Sequence, residues 1–470
     1  MSPLYDDLLL RILELVDIRT VLAAGKVGCM GALRSLSLTH SSFQANHHFR
    51  AITHTTHLWR SLIRTLHYRS LIELPPTDLF LSYSTPELIQ EVKRNAFGPH
   101  QWAERSARPP TASRTIHFPI QLENKHAHPG FLDLSDLRIR LLVDGRHLLV
   151  SHTNHLELWD IETGLRTAML VSGFVYGTQH DAAQATVSIV LARAVTHRLL
   201  AEMEIIRIDT RTGACTPLYS VLLPTLAATI VHPLICDQFI AVVFGEFHEI
   251  LLIDWHDAGY LVVPYVSPGN QPPVLVPGFL CVCNHTADGP QLLIYSISSF
   301  EGHWRPLSTI DINVPLTRIP SIAVPPIVRQ TIECDTVHLA VHPSLLDADA
   351  FIVSIYTSDN AARRTLLSLW PPRAAFLRYR LKAGLPPQWR LLSSARAAPH
   401  FTLRSLSYSG YAIGGVRGGM LAQVPHHILR MGTCNQPKIP VRYRANEALT
   451  PYGGTVISFT VSWVEIAYHQ

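Results

Sequence analysis

Three aspartates, Asp160, Asp209 and Asp254, recur at intervals of 49 and 45 residues, each closing an apolar run: LELWD, IIRID and EILLID. Repeated carboxylates invite a reading as metal ligands. Their shared place, at a strand-like end just ahead of Gly164, Gly213 and Gly259, points instead to turns. An Asp side chain there accepts hydrogen bonds from the backbone that follows, and Gly takes positive φ without steric cost. In the third copy Gly259 stands one residue further from its Asp, which reads as one extra turn residue. Cys281 and Cys283 form Cys-x-Cys, but strand alternation puts both on one face, where small buried thiols pack. His126 with His128 and His47 with His48 lack partners at metal-ligand spacing. GGVRGG at 414–419 lacks the strand-to-helix context of a phosphate cradle and reads as a hairpin turn. Asn284-His285-Thr286 matches a glycosylation acceptor, idle without a secretion signal. Arg363, Arg364 and Arg373 fall between strands and read as a solvated loop. No catalytic constellation, metal site or cofactor site is expected, and the chain is not expected to be an enzyme.

The elements that carry these residues follow from periodicity. LELW at 156–159 alternates apolar and polar residues, the signature of a half-buried strand. With Trp159 as a register mark, equivalent strand ends fall at Ile208, Ile253 and Tyr295, at spacings of 49, 45 and 42. Periods of that size with several strands each indicate propeller blades. Pro315, Pro320, Pro325 and Pro326 then exclude a central strand. Further strands are expected at 336–341, 350–356, 365–370 and 375–381, with Trp370 in the place of Trp159. Others are expected at 402–406, 411–416 and 420–424, and at 441–443, 455–461 and 463–468. The sum is a β-propeller of seven blades over 115–470. The last blade would lack its outer strand, leaving an exposed edge. TIHFPIQL at 115–122 alternates Ile116, Phe118, Ile120 and Leu122 and is expected to supply that strand, with Pro119 on the outer edge.

The first hundred residues have helical periodicity. Leu4, Leu8, Leu9, Ile12, Leu13, Leu15 and Val16 share one broad helix face, with Asp6 and Asp7 in its first turn. A second helix is expected at 49–68, carrying Ile52, Trp59, Leu62, Ile63 and Leu66. Pro75-Pro76 interrupts, and Thr85 with Glu87 opens another helix bearing Leu88, Ile89 and Val92. SARPPTASR at 106–114 reads as a linker. Taken alone, these residues describe helices whose apolar faces meet one another.

Composition narrows the class. Charged residues are 16% and hydrophobic residues 47%, which suits sheets buried on both faces. A net charge of +4 with scattered Lys and Arg argues against nucleic-acid binding. Seven cysteines without regular spacing fit a reducing compartment. Asp6 and Asp7 stand where a secretory signal places positive charge, and the apolar region 222–244 is broken by Pro224, Pro233 and Asp237. A soluble cytoplasmic or nuclear protein without membrane partners is expected.

LYDDLLLRILELVDIRTVLAAGKV followed by FRAITHTTHLWRSLI resembles an F-box, the helical motif that docks a substrate receptor onto the Skp adaptor of an SCF ubiquitin ligase. Leu4, the 8–10 leucine run, Ile12-Leu13, Leu22 and Leu58-Trp59 carry the match; Tyr5 stands where the family usually has proline. Residues 27–47 exceed the pattern and read as an insertion, either a loop or translated intron. The later repeats resemble degenerate WD repeats, with Trp159-Asp160 giving the dipeptide and Gly145-Arg146 standing in place of Gly-His. The combined arrangement resembles fungal F-box proteins. The resemblance implies an F-box over 1–68, a helical connector over 69–114 and a propeller over 115–470. It implies a substrate-recognition adaptor that meets the Skp adaptor through Leu4, Leu8, Leu9, Ile12, Leu13, Leu58 and Trp59. The partners would be a cullin ligase complex and a protein substrate. A propeller scaffold without a ubiquitin role is the alternative.

Overall fold

The computed structural model describes residues 3–16, 18–22, 24, 51–72, 77–99, 114–119, 138–142, 145–152, 155–171, 174–195, 200–224, 230–244, 249–266, 272–286, 289–312, 314, 318–332, 334, 336–358, 374–384, 386–396, 401–416, 426–430, 439–441, 446–450, 452, 455–459 and 463–468. Helices come first: α1 (Pro3–Leu15), α2 (Thr56–Tyr68), α3 (Thr77–Ser82) and α4 (Thr85–Phe97). The cap of α4 is Ser84, one residue before the expected Thr85. Ser84 N and Oγ both donate to the Glu87 carboxylate at 2.7 Å, and these bonds hold the Glu87 pKa below its ordinary range.

Strand β1 (Arg114–Pro119) precedes six sheets whose strands follow one another in chain order. Sheet 1 is β2 (Arg138–Leu141), β3 (His147–His152), β4 (His155–Asp160) and β5 (Leu165–Val171). Sheet 2 is β6 (Phe174–Asp181), β7 (Thr186–Val195), β8 (Leu200–Asp209) and β9 (Cys215–Pro224). Sheet 3 is β10 (Ile230–Cys236), β11 (Phe239–Phe244), β12 (Glu249–Asp254) and β13 (Gly259–Pro264); sheet 4 is β14 (Val274–Val276), β15 (Phe279–Thr286), β16 (Gly289–Ser296) and, later, β18 (Val328–Thr331). The short β17 (Arg305–Pro306) returns from sheet 4 to pair with β13, covering the edge of sheet 3. Sheet 5 is β19 (Thr336–Pro343), β20 (Ala350–Ser358), β21 (Ala374–Lys382) and β22 (Gln388–Arg396). Sheet 6 is β23 (Phe401–Leu406), β24 (Tyr411–Val416), β25 (His426–Arg430) and β26 (Ile439–Val441). The seventh sheet, β27 (Asn446–Leu449), β28 (Thr455–Phe459) and β29 (Trp463–Tyr468), takes β1 as its outer strand, with Ile116 opposite Ile466. The expected strand exchange is therefore present, over Arg114–Pro119.

Neighbouring sheets share apolar layers. Leu149 and Leu158 of sheet 1 meet Val187 and Ile189 of sheet 2, and Val190 and Ile205 meet Ile240 and Ile253 of sheet 3. Leu252 and Leu261 meet Leu280 and Leu293 of sheet 4, whose other face sets Cys281 and Ile294 against Val353 and Leu381 of sheet 5. Tyr356 and Phe376 pack on Leu406 and Ala412 of sheet 6, β23 adjoins β27, and Ile457 and Ile466 pack on Leu148 and Val150 of sheet 1. Successive antiparallel sheets, each seated on the next and the last on the first, define a β-propeller.

One turn recurs in the first three sheets. Asp160 Oδ1 accepts from the amides of Glu162 and Thr163, and Asp209 Oδ1 from those of Arg211 and Thr212. Asp254 Oδ1 accepts from His256 and Asp257 at 3.1 Å each. Gly164 and Gly213 close their turns at φ +70° and +72°. In the third copy the left-handed position belongs to Ala258, at φ +50°, and Gly259 begins β13. The expected extra residue is absent: the turn has its usual length and tolerates a strained Ala. A further copy escaped notice in the sequence: Asp181 Oδ1 accepts from Ala183 and Gln184, and Ala185 takes φ +53°.

Several strand expectations shift. The third strand of sheet 5 is β21, pairing Leu381 with Phe351, so Leu381 holds the position assigned to Trp370, and β22 is the outer strand. The expected strands at 365–370 and 420–424 lie outside the described residues, and β25 fills the third place in sheet 6. Val441 ends β26 of sheet 6, and the inner strand of the last sheet is β27. Gly414 and Gly415, expected in a hairpin turn, pair within β24.

Candidate functional site

The helical unit carries the side chains singled out for partner binding. Its core joins Leu13, Leu58, Trp59, Leu62, Ile63 and Leu66 with Leu88 and Val92 of α4. The helices of the 69–114 stretch thus build the same core as those before residue 69. Tertiary ties reinforce it: Trp59 Nε1 donates to Thr53 O at 2.7 Å, Arg60 Nη2 to Leu81 O at 2.5 Å, and His57 Nδ1 lies 3.1 Å from Glu14 Oε1.

One side of this unit is seated on the propeller. Leu345, Ile352 and Tyr408 complete its core, and Leu346 and Tyr452 pack against it. Arg19 N donates to Leu346 O at 3.2 Å, and Arg69 Nη2 to Ala348 O at 3.2 Å. Burial lowers the Arg69 pKa from its ordinary value. Ser70, held at φ +54°, donates through Oγ to His180 O at 2.8 Å and accepts from Ala182 N at 3.2 Å. The 69–70 corner therefore touches sheets 2 and 5 together. Beneath it, burial pushes the His342 pKa down to about 4, and Tyr452 Oη donates to Pro343 O at 2.9 Å.

The other side is formed by α1. Leu8 is 57% exposed and Ile12 47%, one turn apart on a single face. Leu9 is half-buried and Leu13 buried, turned toward the core. Leu58 and Trp59 are 0% and 2% exposed, so they support the unit from inside and offer a partner nothing to touch. Leu4 falls within α1, its side chain outside the described residues. Of the seven predicted contact residues, Leu8 and Ile12 stand open together.

The chemistry-bearing groups found by motif have structural places. Cys281 and Cys283 point into the layer between sheets 4 and 5, where burial pushes both thiols up to about 12. Asn284 Oδ1 accepts from Val266 N at 2.7 Å within the sheet framework. Among the described residues no group of three His, Cys, Asp or Glu side chains is placed to hold a metal ion. His47, His48, His126, His128, Arg363, Arg364 and Arg373, like the 27–47 stretch, lie outside the described residues. No helix among the described residues is long and apolar enough to cross a membrane.

No protein-family model and no curated protein matches the sequence. Among solved structures, the chain is similar to the WD40 domain of SCAP from fission yeast, at 10% identity and a TM-score of 0.40, over 71% of this chain and 85% of that one. It is also similar to Kluyvelomyces marxianus Hsv2, at 9% identity and a TM-score of 0.37, over 69% and 87%. The β-propeller domain of the Trilobed protease from Pyrococcus furiosus matches at 12% identity and 0.32, over 60% and 78%. The propeller assignment rests on the strand order and the shared sheet cores.

Proposed function

We propose that this protein is a substrate-recognition adaptor of an SCF-type ubiquitin ligase. In this reading α1 docks the Skp-type adaptor, the seven sheets act as a seven-bladed ring that recruits a protein substrate, and the cullin complex supplies the chemistry. The chain contributes proximity, which raises the effective concentration of substrate near the ubiquitin-charged enzyme. The observation that carries the reading is the exposed Leu8–Ile12 face on a helix whose Leu13 is buried in the core, with Leu9 and Leu10 packed against it. Two apolar side chains one turn apart are what a helical adaptor groove takes up.

The test is capture of the Skp-type adaptor by the full chain, compared with Leu8→Asp/Ile12→Asp. Both positions face solvent, so the double variant keeps its melting temperature while adaptor capture is lost. An intact, folded protein that captures no Skp-type adaptor rejects the ligase reading and leaves the interaction scaffold.

A further inference from the structure

Sheets 1 and 3 build the same corner from different residues. In sheet 1, Ile161 N donates to Arg146 O at 2.9 Å beside the pair His147 and Asp160. In sheet 3, Trp255 N donates to Gln238 O at 3.0 Å beside the pair Phe239 and Asp254. Arg146 and Gln238 therefore occupy one position, and Asp160 and Asp254 another. Both carboxylates are buried, at 5% and 6% exposure. Sheet 1 neutralises its charge internally: Arg146 reaches Asp160 Oδ2 through Nη2 at 2.6 Å and Nε at 3.1 Å. Sheet 3 offers a neutral amide, with Gln238 Nε2 donating to Asp254 Oδ2 at 2.9 Å. Among the described residues no cation stands within ion-pair distance of Asp254. A buried carboxylate without a cation is costly. Sheet 2 supplies the contrast: Ala185 holds the Arg146 position, and there Asp209 is half-exposed.

Beside the Gln238 amide, sheet 3 opens a cleft. It measures about 620 Å³, within the range that holds small ligands and peptide side chains. The strap that carries β17 back from sheet 4 forms one wall, fixed by Leu307 N donating to Ala258 O at 2.8 Å. Phe239 and Trp304 line it and stack at 5.7 Å and 21°. Asp254, Asp257 and Glu301 line it, with Arg305 as the one cation among the described lining residues, and Asp257 and Glu301 are exposed. The lining is thus negative overall, with an aromatic wall.

We infer that this cleft binds an arginine-bearing, extended segment of a partner protein. The incoming guanidinium joins Gln238 at Asp254 Oδ2 and adds the second bond that Arg146 supplies to Asp160, with Asp257 and Glu301 adding attraction at the rim. Its aliphatic stem lies along Phe239 and Trp304. Arginine suits the site better than lysine because a planar guanidinium both stacks on an aromatic face and bridges carboxylates. The inference does not depend on adaptor docking by α1.

Calorimetric titration of the full chain with acetyl-Ala-Arg-Ala-amide tests it, alongside the citrulline counterpart and free L-arginine. Saturable binding is expected for the arginine peptide, with the citrulline peptide weaker by about tenfold or more and free arginine weaker than the peptide. Gln238→Arg, which supplies the cation from within, and Asp257→Asn/Glu301→Gln each weaken binding by at least about tenfold with the melting temperature retained. The exposed pair decides the matter if Gln238→Arg fails to fold. Absence of saturable binding up to about 10 mM overturns the inference, as does equal affinity for citrulline or affinity unchanged in the variants. Free arginine bound as tightly as the peptide overturns the assignment to a protein segment.

Discussion

The two sides of the helical unit are both apolar, yet they meet different surroundings. On the propeller side, Leu345, Ile352, Tyr408 and Tyr452 close over the helices, and Ser70 and Arg69 anchor the corner to sheets 2 and 5. On the α1 side, Leu8 and Ile12 face water although Leu13, one residue on, is buried. Among the described residues the chain thus covers one apolar side and leaves Leu8 and Ile12 of the other exposed.

The largest effect should come from inside. Trp59→Ala removes a buried indole together with its hydrogen bond to the Thr53 carbonyl, costing about 3 to 5 kcal/mol in denaturant unfolding. Retention of wild-type stability would erase the distinction between the two sides. Next comes the seat itself. Folded His342 stays neutral down to about 4, whereas in the unfolded chain it titrates near 6.5. Above pH 6.5 its contribution is fully present. As pH falls from there toward 4, the unfolded state takes the proton first, and stability drops by on the order of 2 kcal/mol. Unfolding midpoints at pH 7 and 4.5 should therefore differ less in His342→Gln than in wild type.

Ser70→Ala breaks both bonds of the clasp to sheet 2 and should cost about 1 kcal/mol, read as a lower melting temperature. The smallest effect belongs to the open side. Leu8→Ala/Ile12→Ala should shift stability by no more than about 0.5 kcal/mol, because both are surface positions with about half of each residue open to water. A larger loss there would show that α1 is held from both sides after all.

How far the fold could be read in advance depended on the residue at each strand end. The register marks Trp159, Ile208, Ile253 and Tyr295 each fall one residue before the last residue of β4, β8, β12 and β16. The turn after three of these strands is closed by an Asp, which gives a local, sequence-visible reason for the strand to stop. Sheets 5 and 6 have no such punctuation, and alternation alone fitted several placements of their strands. The outer strand β22 was missed because Leu391 and Leu392 are both exposed, so its pattern lacks the two-residue period. In the helical unit, periodicity grouped Leu8, Ile12, Leu58 and Trp59 correctly as apolar-face residues. It could not say which face is covered, because the covering side chains, from Leu345 to Tyr452, lie far downstream. The cleft was equally hidden: Gln238 acquires meaning only when its register with Arg146 is known.

The pairing of β1 with β29 also has a consequence in time. Ile116 and Ile466 are 350 positions apart, so a nascent chain leaves β1 without its partner until nearly all of the described residues have been made. Closing a loop of that length is entropically costly and slow relative to local hairpins. The helical unit waits as well, since Leu345 and Tyr408 belong to its core. Sheets 1 to 4 can assemble as they emerge from the ribosome, whereas the helical unit and β1, made before those sheets, are among the last to settle, and until then Ile116 and the helical side that receives Tyr408 stay exposed.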